Sequence, residues 1–189
     1  MTVHAVDPAA ARDDGPGAVV LNFAYGSNLL LRRLRERVPS ARVLGRAQLP
    51  GHALRWHKRS RDGSTKCDVV AQIGSVVWGV VVAIPAAEKP VLDAAEGLGA
   101  GYAEHVVEVV PVEPAPADPT PSASTIACRA YVATDVDPEG LPYAWYRALV
   151  VAGARAHGLP ASYIAALEAQ PVQDDPDLAR DARHRAFLR

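Results

Sequence analysis

Cysteine is scarce in this chain: only Cys67 and Cys128 occur, far apart and outside any Cys-x-x-Cys motif. A disulfide framework needs several cysteines, and a structural zinc site needs cysteines or histidines at short, regular spacing. The six histidines show no such spacing either. We therefore expect two reduced thiols, no metal site and a cytoplasmic location.

Long hydrophobic runs are also missing. The longest, residues 76–84, is much too short to cross a bilayer, so we expect no membrane span. Residues 1–17 contain three aspartates and no apolar core, which is unlike a signal peptide. We predict that this segment is a disordered leader.

Neither sign of charge dominates, since 20 Lys and Arg residues stand against 21 Asp and Glu residues. A net charge of −1 gives no overall field that would attract nucleic acid, and we expect no nucleic-acid partner. Local basic runs do occur at residues 32–37 and 55–66. They are interpreted either as solvated surfaces or as a rim that attracts a small anion.

The composition that is present suits one globular domain. Hydrophobic residues make up 49% of 189 residues, enough for a substantial core, and we predict a single domain over residues 18–189. Five prolines make residues 111–124 an expected excursion between strands. Strand patterns precede helical ones, which predicts an α+β fold: a mostly antiparallel barrel or sheet with helices packed outside. The predicted strands are residues 19–24, 41–50, 52–59, 67–73, 76–84, 102–112 and 125–135, and the predicted helices begin near residues 29, 85, 142, 162 and 177.

The first candidate site is the segment Tyr25-Gly26-Ser27-Asn28, where an apolar strand pattern stops and a helical pattern begins. A tight glycine turn between a strand and a helix presents backbone N–H groups to an anion. Ser27 or Asn28 can cap the helix. The alternative is an ordinary capped turn without a ligand, and the four residues alone leave both interpretations open.

The second candidate is Glu96, a carboxylate at the end of a predicted helix beside the glycine-rich residues 97–101. A carboxyl group with room for a ligand next to it can accept and return a proton. The alternative is a solvated surface pair with Asp93, three residues earlier. Because the glycine-rich loop follows a helix and not a strand, it is not a dinucleotide fingerprint, and we expect no cofactor. Tyr102 and Tyr131 flank this loop as pocket-lining or core residues.

Ser27 is a third possibility, as the nucleophile of a serine amidase. The nucleophile motif Gly-x-Ser-x-Gly does not surround it, and no motif places a histidine beside it. A serine without a base is a weak nucleophile, so the sequence disfavours this mechanism.

Taken in order, several segments resemble the γ-glutamylcyclotransferase family. Residues 23–29 resemble its Tyr-Gly-Ser-Asn loop, and residues 93–97, with Gly101-Tyr102, are similar to its segment bearing the catalytic glutamate. Weaker similarities lie at residues 77–81, 128–132 and 141–163. The resemblance covers about residues 20–170, and the proline-rich insertion and the alanine-rich helix before Glu96 depart from it.

This resemblance implies a small, mostly antiparallel β-barrel with surrounding helices, and an enzyme that cleaves γ-glutamyl amides. The substrate's α-amine would attack its own γ-carbonyl, releasing 5-oxoproline and a free amine, with Glu96 as the catalytic proton acceptor and donor. The substrate-binding residues implied are Tyr25, Gly26, Ser27, Asn28, Leu29, Tyr102 and Tyr131. The partner expected is this small molecule, with the chain a monomer or homodimer. A non-catalytic binding module on the same fold, or an enzyme that removes a γ-glutamyl protecting group in a biosynthetic pathway, are the alternatives.

Overall fold

Five strands close into a barrel in the computed structural model, which describes residues 17–112 and 124–189. They are β1 (Val19–Ala24), β2 (Arg42–Arg59), β3 (Thr65–Pro85), β4 (Tyr102–Val112) and β5 (Ile126–Ala133). Their order around the barrel is β1-β3-β2-β4-β5. Every neighbouring pair is antiparallel except β1 and β5, which run parallel through Asn22 and Arg129. The predicted α+β barrel is therefore confirmed.

Strands β2 and β3 form one long hairpin, whereas the sequence predicts four short strands in this region. The predicted turn at Asp62-Gly63 is confirmed, because the N–H of Ser60 donates to the carbonyl of Ser64 at 2.9 Å across it. The turn predicted at Pro50-Gly51 is wrong: this pair lies within β2, opposite an irregular stretch of β3 at residues 72–75. Proline and glycine are typical of turns, and they also occur where strand pairing is interrupted without a reversal of the chain.

The helices are α1 (Leu31–Arg35), α2 (Lys89–Glu96), α3 (Ala144–Ala156), α4 (Ala161–Glu168) and α5 (Leu178–Arg185), with 3₁₀ turns at Ser27–Leu29 and Ala186–Leu188. The prediction that a helix starts at Pro85 is wrong, because Pro85 still pairs with Val19 at the end of β3. The predicted cap at Ser27 or Asn28 is also wrong. A 3₁₀ turn replaces the first helical turn, and no side chain caps it or α1.

One hydrophobic core joins the barrel to α1, α3 and α4. Helix α3 contributes Trp145 and Leu149, which are almost completely buried. It approaches the 3₁₀ turn at Ser27–Leu29 so closely that a Cβ atom at Gly153 would lie 2.5 Å from the Cβ of Leu29. Glycine at this position therefore lets α3 pack directly against the turn that follows β1.

Two predicted segments lie mostly outside the described residues. The predicted leader, residues 1–17, is described only at Gly17, and the predicted excursion, residues 111–124, only at residues 111, 112 and 124. Both stay predictions. Among the helices of the described ranges, none is long and apolar enough to cross a membrane.

Candidate active site

The turn at Tyr25-Gly26-Ser27-Asn28 leaves β1 and enters the 3₁₀ turn at Ser27–Leu29. The N–H groups of Leu29 and Leu30 donate to the carbonyls of Gly26 and Ser27, at 3.0 and 3.2 Å. Within the described parts of the chain, the N–H groups of Ser27 and Asn28 have no acceptor. The first N–H groups of a helical turn have no partner inside it, so these two donors are available to a ligand.

An inner cavity lies beside this turn. It is lined by Asn22, Phe23, Ala24, Tyr25, Gly26, Ser27, Asn28, Cys67, Glu96, Tyr102, Tyr131 and Tyr146. Counted out to its open mouth, its free space is about 350 Å³. The structure thus brings together seven of the eight predicted site residues, and their roles stay predictions. The eighth, Leu29, is not part of the lining: its side chain is fully buried in the core, and its carbonyl bonds to Nε2 of His157 at 2.8 Å.

Glu96 reaches this turn from the C-terminal end of α2. Its Oε1 atom accepts hydrogen bonds from Nδ2 of Asn28 and Nη1 of Arg37, both at 3.0 Å. Arg37 also donates to Oδ1 of Asn28 at 3.3 Å, which closes a triangle of three side chains. In the described residues no donor bonds to Oε2. The carboxylate is thus held in place through one oxygen while the other remains available to accept a proton.

Four buried tyrosines form much of the cavity wall: Tyr25, Tyr102, Tyr131 and Tyr146. Tyr25 donates to the carbonyl of Tyr131, Tyr102 donates to the carbonyl of Cys67 at 2.6 Å, and Tyr146 accepts from the N–H of Cys67 at 3.1 Å. Tyr131 donates to Oδ1 of Asp93 at 2.7 Å. Burial raises the pKa of all four phenols above the ordinary value, so they are neutral hydroxyls that fix the shape of the cavity.

A chain of ion pairs holds Asp93, the carboxylate to which Tyr131 donates its hydrogen bond. Lys89 binds the carboxylate of Asp93 one helical turn away and also reaches Glu104 on β4 at 2.5 Å. Arg129 on β5 completes the chain at 3.1 Å from Glu104. These contacts tie α2, which carries Glu96, to the two strands that carry Tyr102 and Tyr131.

The two nucleophilic side chains of the inner cavity are not activated. Burial raises the pKa of Cys67 to about 12, so its sulfur is a thiol, the unreactive form, at neutral pH. Oγ of Ser27 accepts a hydrogen bond from Nε of Arg33 at 3.3 Å. A guanidinium group donates protons and cannot remove one, so Arg33 is no general base for Ser27. The geometry therefore disfavours a serine amidase, as the sequence does.

A second cavity adjoins the inner one, with Ser27, Glu96, Tyr102 and Tyr146 lining both. We call it the basic cavity, because its remaining lining residues are Arg33, Arg37, Lys58, Ser60, Lys66 and Ala95. Its free space on the same count is about 420 Å³. Each of the two basic runs in the sequence supplies two of these cations. The interpretation as an anion-attracting rim is thus favoured for these four side chains.

Sequence reasoning missed Asn22, Cys67 and Tyr146 in the inner cavity and the contact of Arg37 with Glu96. Arg37 stands nine residues after Asn28, a spacing that matches no local motif, and Tyr146 arrives from a helix of the C-terminal third. Asn22 lies in the strand pattern before the turn, and its polar side chain in an apolar run was the one available signal. In the described ranges, no three His, Cys, Asp or Glu residues are grouped so as to hold a metal ion.

Comparison with known proteins gives consistent matches. The model of the AIG2-like family matches residues 76–167. Gamma-glutamylcyclotransferase of Homo sapiens is 33% identical over 159 residues, which cover 82% of this chain and 80% of that protein. Gamma-glutamylcyclotransferase of Mus musculus is 31% identical over 164 residues, with 81% and 79% covered. A solved structure of a gamma-glutamyl cyclotransferase superimposes with a TM-score of 0.76 at 27% identity, covering 89% of this chain and 99% of that one.

Identity of this size over four-fifths of both chains extends through the barrel and the helical region, and the structural match agrees with the closed barrel. Family membership also favours an enzyme over a non-catalytic binding module on the same fold. This chain therefore belongs to the gamma-glutamylcyclotransferase family and is an enzyme of the cyclotransferase type.

Proposed function

We propose that this enzyme cleaves γ-glutamyl amides by attack of the substrate's own α-amine on its γ-carbonyl carbon. A bond forms between that carbon and the attacking nitrogen, and the bond to the amide nitrogen breaks. The products are 5-oxoproline and a free amine. The attacking ammonium nitrogen loses two protons overall and the leaving nitrogen gains two, so the reaction takes up no net proton.

The observation that carries the proposal is the position of Glu96 on the wall shared by both cavities. Glu96 would take a proton from the substrate's ammonium group and return it to the departing amine. Proton transfer by a positioned group is worth on the order of 10²–10⁴ in rate. The hydrogen bonds from Asn28 and Arg37 hold this carboxylate while leaving Oε2 available for the transfer.

Backbone donors of the turn beside Glu96 suit the negative charges of the substrate. The N–H groups of Gly26, Ser27 and Asn28 would hold either the α-carboxylate of the glutamyl group or the oxyanion that develops on its γ-carbonyl. Loss of one oxyanion donor typically costs about 3–4 kcal/mol of transition-state stabilisation. The N–H groups of Ser27 and Asn28 find no acceptor among the described residues, which supports this role.

A buried acceptor supports the binding of a positively charged head group. Asn22 is 2% exposed, lines the inner cavity, and its Oδ1 atom has no hydrogen-bond donor among the described residues. A buried acceptor without a donor costs free energy, so a donor brought by the substrate stabilises the complex. The α-ammonium group of a glutamyl residue is a donor of this kind.

No protein nucleophile is required, because the substrate carries its own amine. This agrees with the inactive state of Cys67 and Ser27. The main task of the protein is then to fold the glutamyl chain so that its amine and its γ-carbonyl meet. Orientation of two reacting groups can supply about 7–11 kcal/mol, more than the proton transfer.

The test is incubation of the purified protein with a panel of γ-glutamyl amides and detection of 5-oxoproline by mass spectrometry. Glu96→Gln should lower kcat by a factor of about 10²–10⁴, since the amide cannot accept a proton. Circular dichroism should show that the variant stays folded. Glu139→Gln, which removes an exposed carboxylate far along the chain, is the matched control and should keep normal turnover. Absence of 5-oxoproline from every amide would contradict the proposed reaction, and normal turnover by the Glu96 variant would contradict the assigned base.

A further inference from the structure

We propose that the amine released by this enzyme carries two negative charges, and that Arg33 and Lys58 of the basic cavity bind them. The inference rests on the proposed cleavage of γ-glutamyl amides and specifies the side of the substrate that departs. In chemical terms, the leaving amine is an amino dicarboxylate and not an uncharged or singly charged amine.

The charges around the basic cavity do not balance. Arg37 pairs with Glu96 at 3.0 Å, and Lys66 pairs with Asp62 at 2.8 Å. Arg33 and Lys58 also line the cavity, yet neither forms an ion pair with a carboxylate of the described residues. Two positive charges are therefore left without a counter-ion in one concave space.

Lys58 is only 8% exposed. Its Nζ atom lies 4.7 Å from the centre of the Tyr102 ring. Glu96, Asp135 and Asp62 favour its charge from a distance, but no carboxylate of the described residues forms an ion pair with it. Burial lowers the pKa of this amine below its ordinary value, since water no longer solvates the charge. A buried charge without an ion-pair partner destabilises the protein, and an incoming carboxylate would relieve that cost.

Arg33 is 7% exposed and is held in one orientation. Its Nε donates to Ser27 at 3.3 Å, its Nη1 bonds to Nδ1 of His184 at 3.1 Å, and it lies 6.0 Å from the Trp145 ring centre. Burial and the neighbouring Arg37 lower its pKa to about 10, so it remains charged at neutral pH. A fixed guanidinium is well suited to bind a carboxylate through two parallel hydrogen bonds.

The positions of Arg33 and Lys58 assign them to the leaving amine and not to the glutamyl group. Arg33 and Lys58 line the basic cavity but not the inner one, whose wall offers backbone N–H groups for the glutamyl charge. Glu96 stands on the shared wall, where it would return a proton to the leaving nitrogen. The amine therefore departs into the basic cavity, toward both unpaired cations.

A matched pair of substrates tests this inference. γ-Glutamylaspartate and γ-glutamylasparagine have nearly the same shape and differ by one negative charge on the leaving amine. We expect kcat/KM for 5-oxoproline release to be about tenfold higher for the aspartate amide, the effect of one charge interaction worth about 1.4 kcal/mol. The preference should shrink as salt is raised from 0.05 to 0.5 M, since salt screens the attraction.

Two variants link the preference to the cavity. Lys58→Met keeps a long apolar chain over Tyr102 and should reduce the ratio of the two kcat/KM values by about tenfold. Arg61→Met is the matched control: it removes an exposed positive charge three residues away that is not part of the cavity lining, and the ratio should not change. Equal kcat/KM values for both amides, or a preference for the asparagine amide, would overturn the inference.

A binding measurement separates this inference from the proposed reaction. Calorimetric titration of both amides into the Glu96→Gln protein reports binding without turnover. If neither amide yields 5-oxoproline but the aspartate amide binds about tenfold more tightly, the reaction is wrong and the dianionic preference stands. Equal binding, or no binding, overturns the preference whatever the turnover shows.

Discussion

At the scale of single residues, short hydrogen bonds hold together side chains that are far apart in the sequence. Asn28 and Glu96 are 68 residues apart, yet their side chains meet at 3.0 Å. Arg37 bonds to both and joins the turn after β1 to the end of α2. Each side chain has a partner on another element, so the carboxylate has little freedom to rotate away from the shared wall.

Gly26 tests how closely the inner cavity is packed. A Cβ atom there would lie 3.1 Å from the Tyr146 hydroxyl oxygen and 3.3 Å from Cβ of Cys67, so Gly26→Ala would crowd the cavity. We expect the Kd for the product, 5-oxoproline, to rise about tenfold in a calorimetric titration. Gly45→Ala is the matched control, because a Cβ atom at Gly45 meets nothing within 4 Å. Unchanged affinity in the Gly26 variant would exclude a backbone cradle at this turn.

At the scale of elements, helix α5 orients one of the cations that line the basic cavity. Asp177 caps α5 by accepting from the N–H of Arg180 at 2.9 Å. His184 on α5 stacks on Trp145 with ring centres 3.8 Å apart and bonds to Arg33. Since a guanidinium only donates, Nδ1 of His184 is the acceptor, and the ring must be neutral. Helix α5 therefore helps to fix the orientation of one cation of the cavity.

This contact makes the stability of the protein depend on pH. Burial and Arg33 lower the pKa of His184 to about 4, whereas an unfolded chain binds this proton near pH 6.5. The unfolded state then binds more protons between these values, so this residue should make the free energy of unfolding fall as pH drops from about 6.5 to about 4. His184→Gln keeps an acceptor and removes the titration, so its unfolding free energy should fall less over the same range.

Urea unfolding at several pH values between 4.5 and 7 measures this effect. His105→Gln, at an exposed histidine, should retain the pH dependence of the unmodified protein. The same slope in the His184 variant would show that other groups cause it.

At the scale of the whole molecule, the barrel and α3 enclose the site together. The inner cavity takes residues from β1, β3, β4, β5, α2 and α3, so no part of the chain builds it alone. Cys67 lies on its wall and is 1% exposed. Chemical reagents should therefore reach this sulfur only when the barrel opens.

Alkylation of Cys67 gives a measure of this opening. In a Cys128→Ala background, iodoacetamide at pH 8 should modify Cys67 at least about 10²-fold more slowly in the native state than in 8 M urea, because burial excludes the reagent and the raised pKa, to about 12, suppresses the thiolate. The rate should rise with urea in parallel with global unfolding. Rapid alkylation that is independent of urea would instead show that the inner cavity opens locally.

Much of the architecture follows from local patterns in the sequence. The apolar strand before Gly26, the hairpin turn at Asp62-Gly63 and strand β4 all appear where periodicity and turn residues predict them. The errors lie where a local signal has two structural outcomes. Pro50-Gly51 lies at a register shift within β2 instead of in a turn, and Pro85 ends a strand instead of starting a helix.

The sequence by itself determined the antiparallel strands with outer helices, the turn after β1 and the candidate carboxylate, because each depends on neighbouring residues. Only the tertiary structure decided that Arg37 holds Glu96, that Tyr146 and Cys67 complete the cavity wall, and that Arg33 and Lys58 lack a carboxylate partner among the described residues. The physical reason is that hydrogen bonds and charge interactions depend on distances in space. A closed barrel brings residues within 3 Å that no local spacing relates.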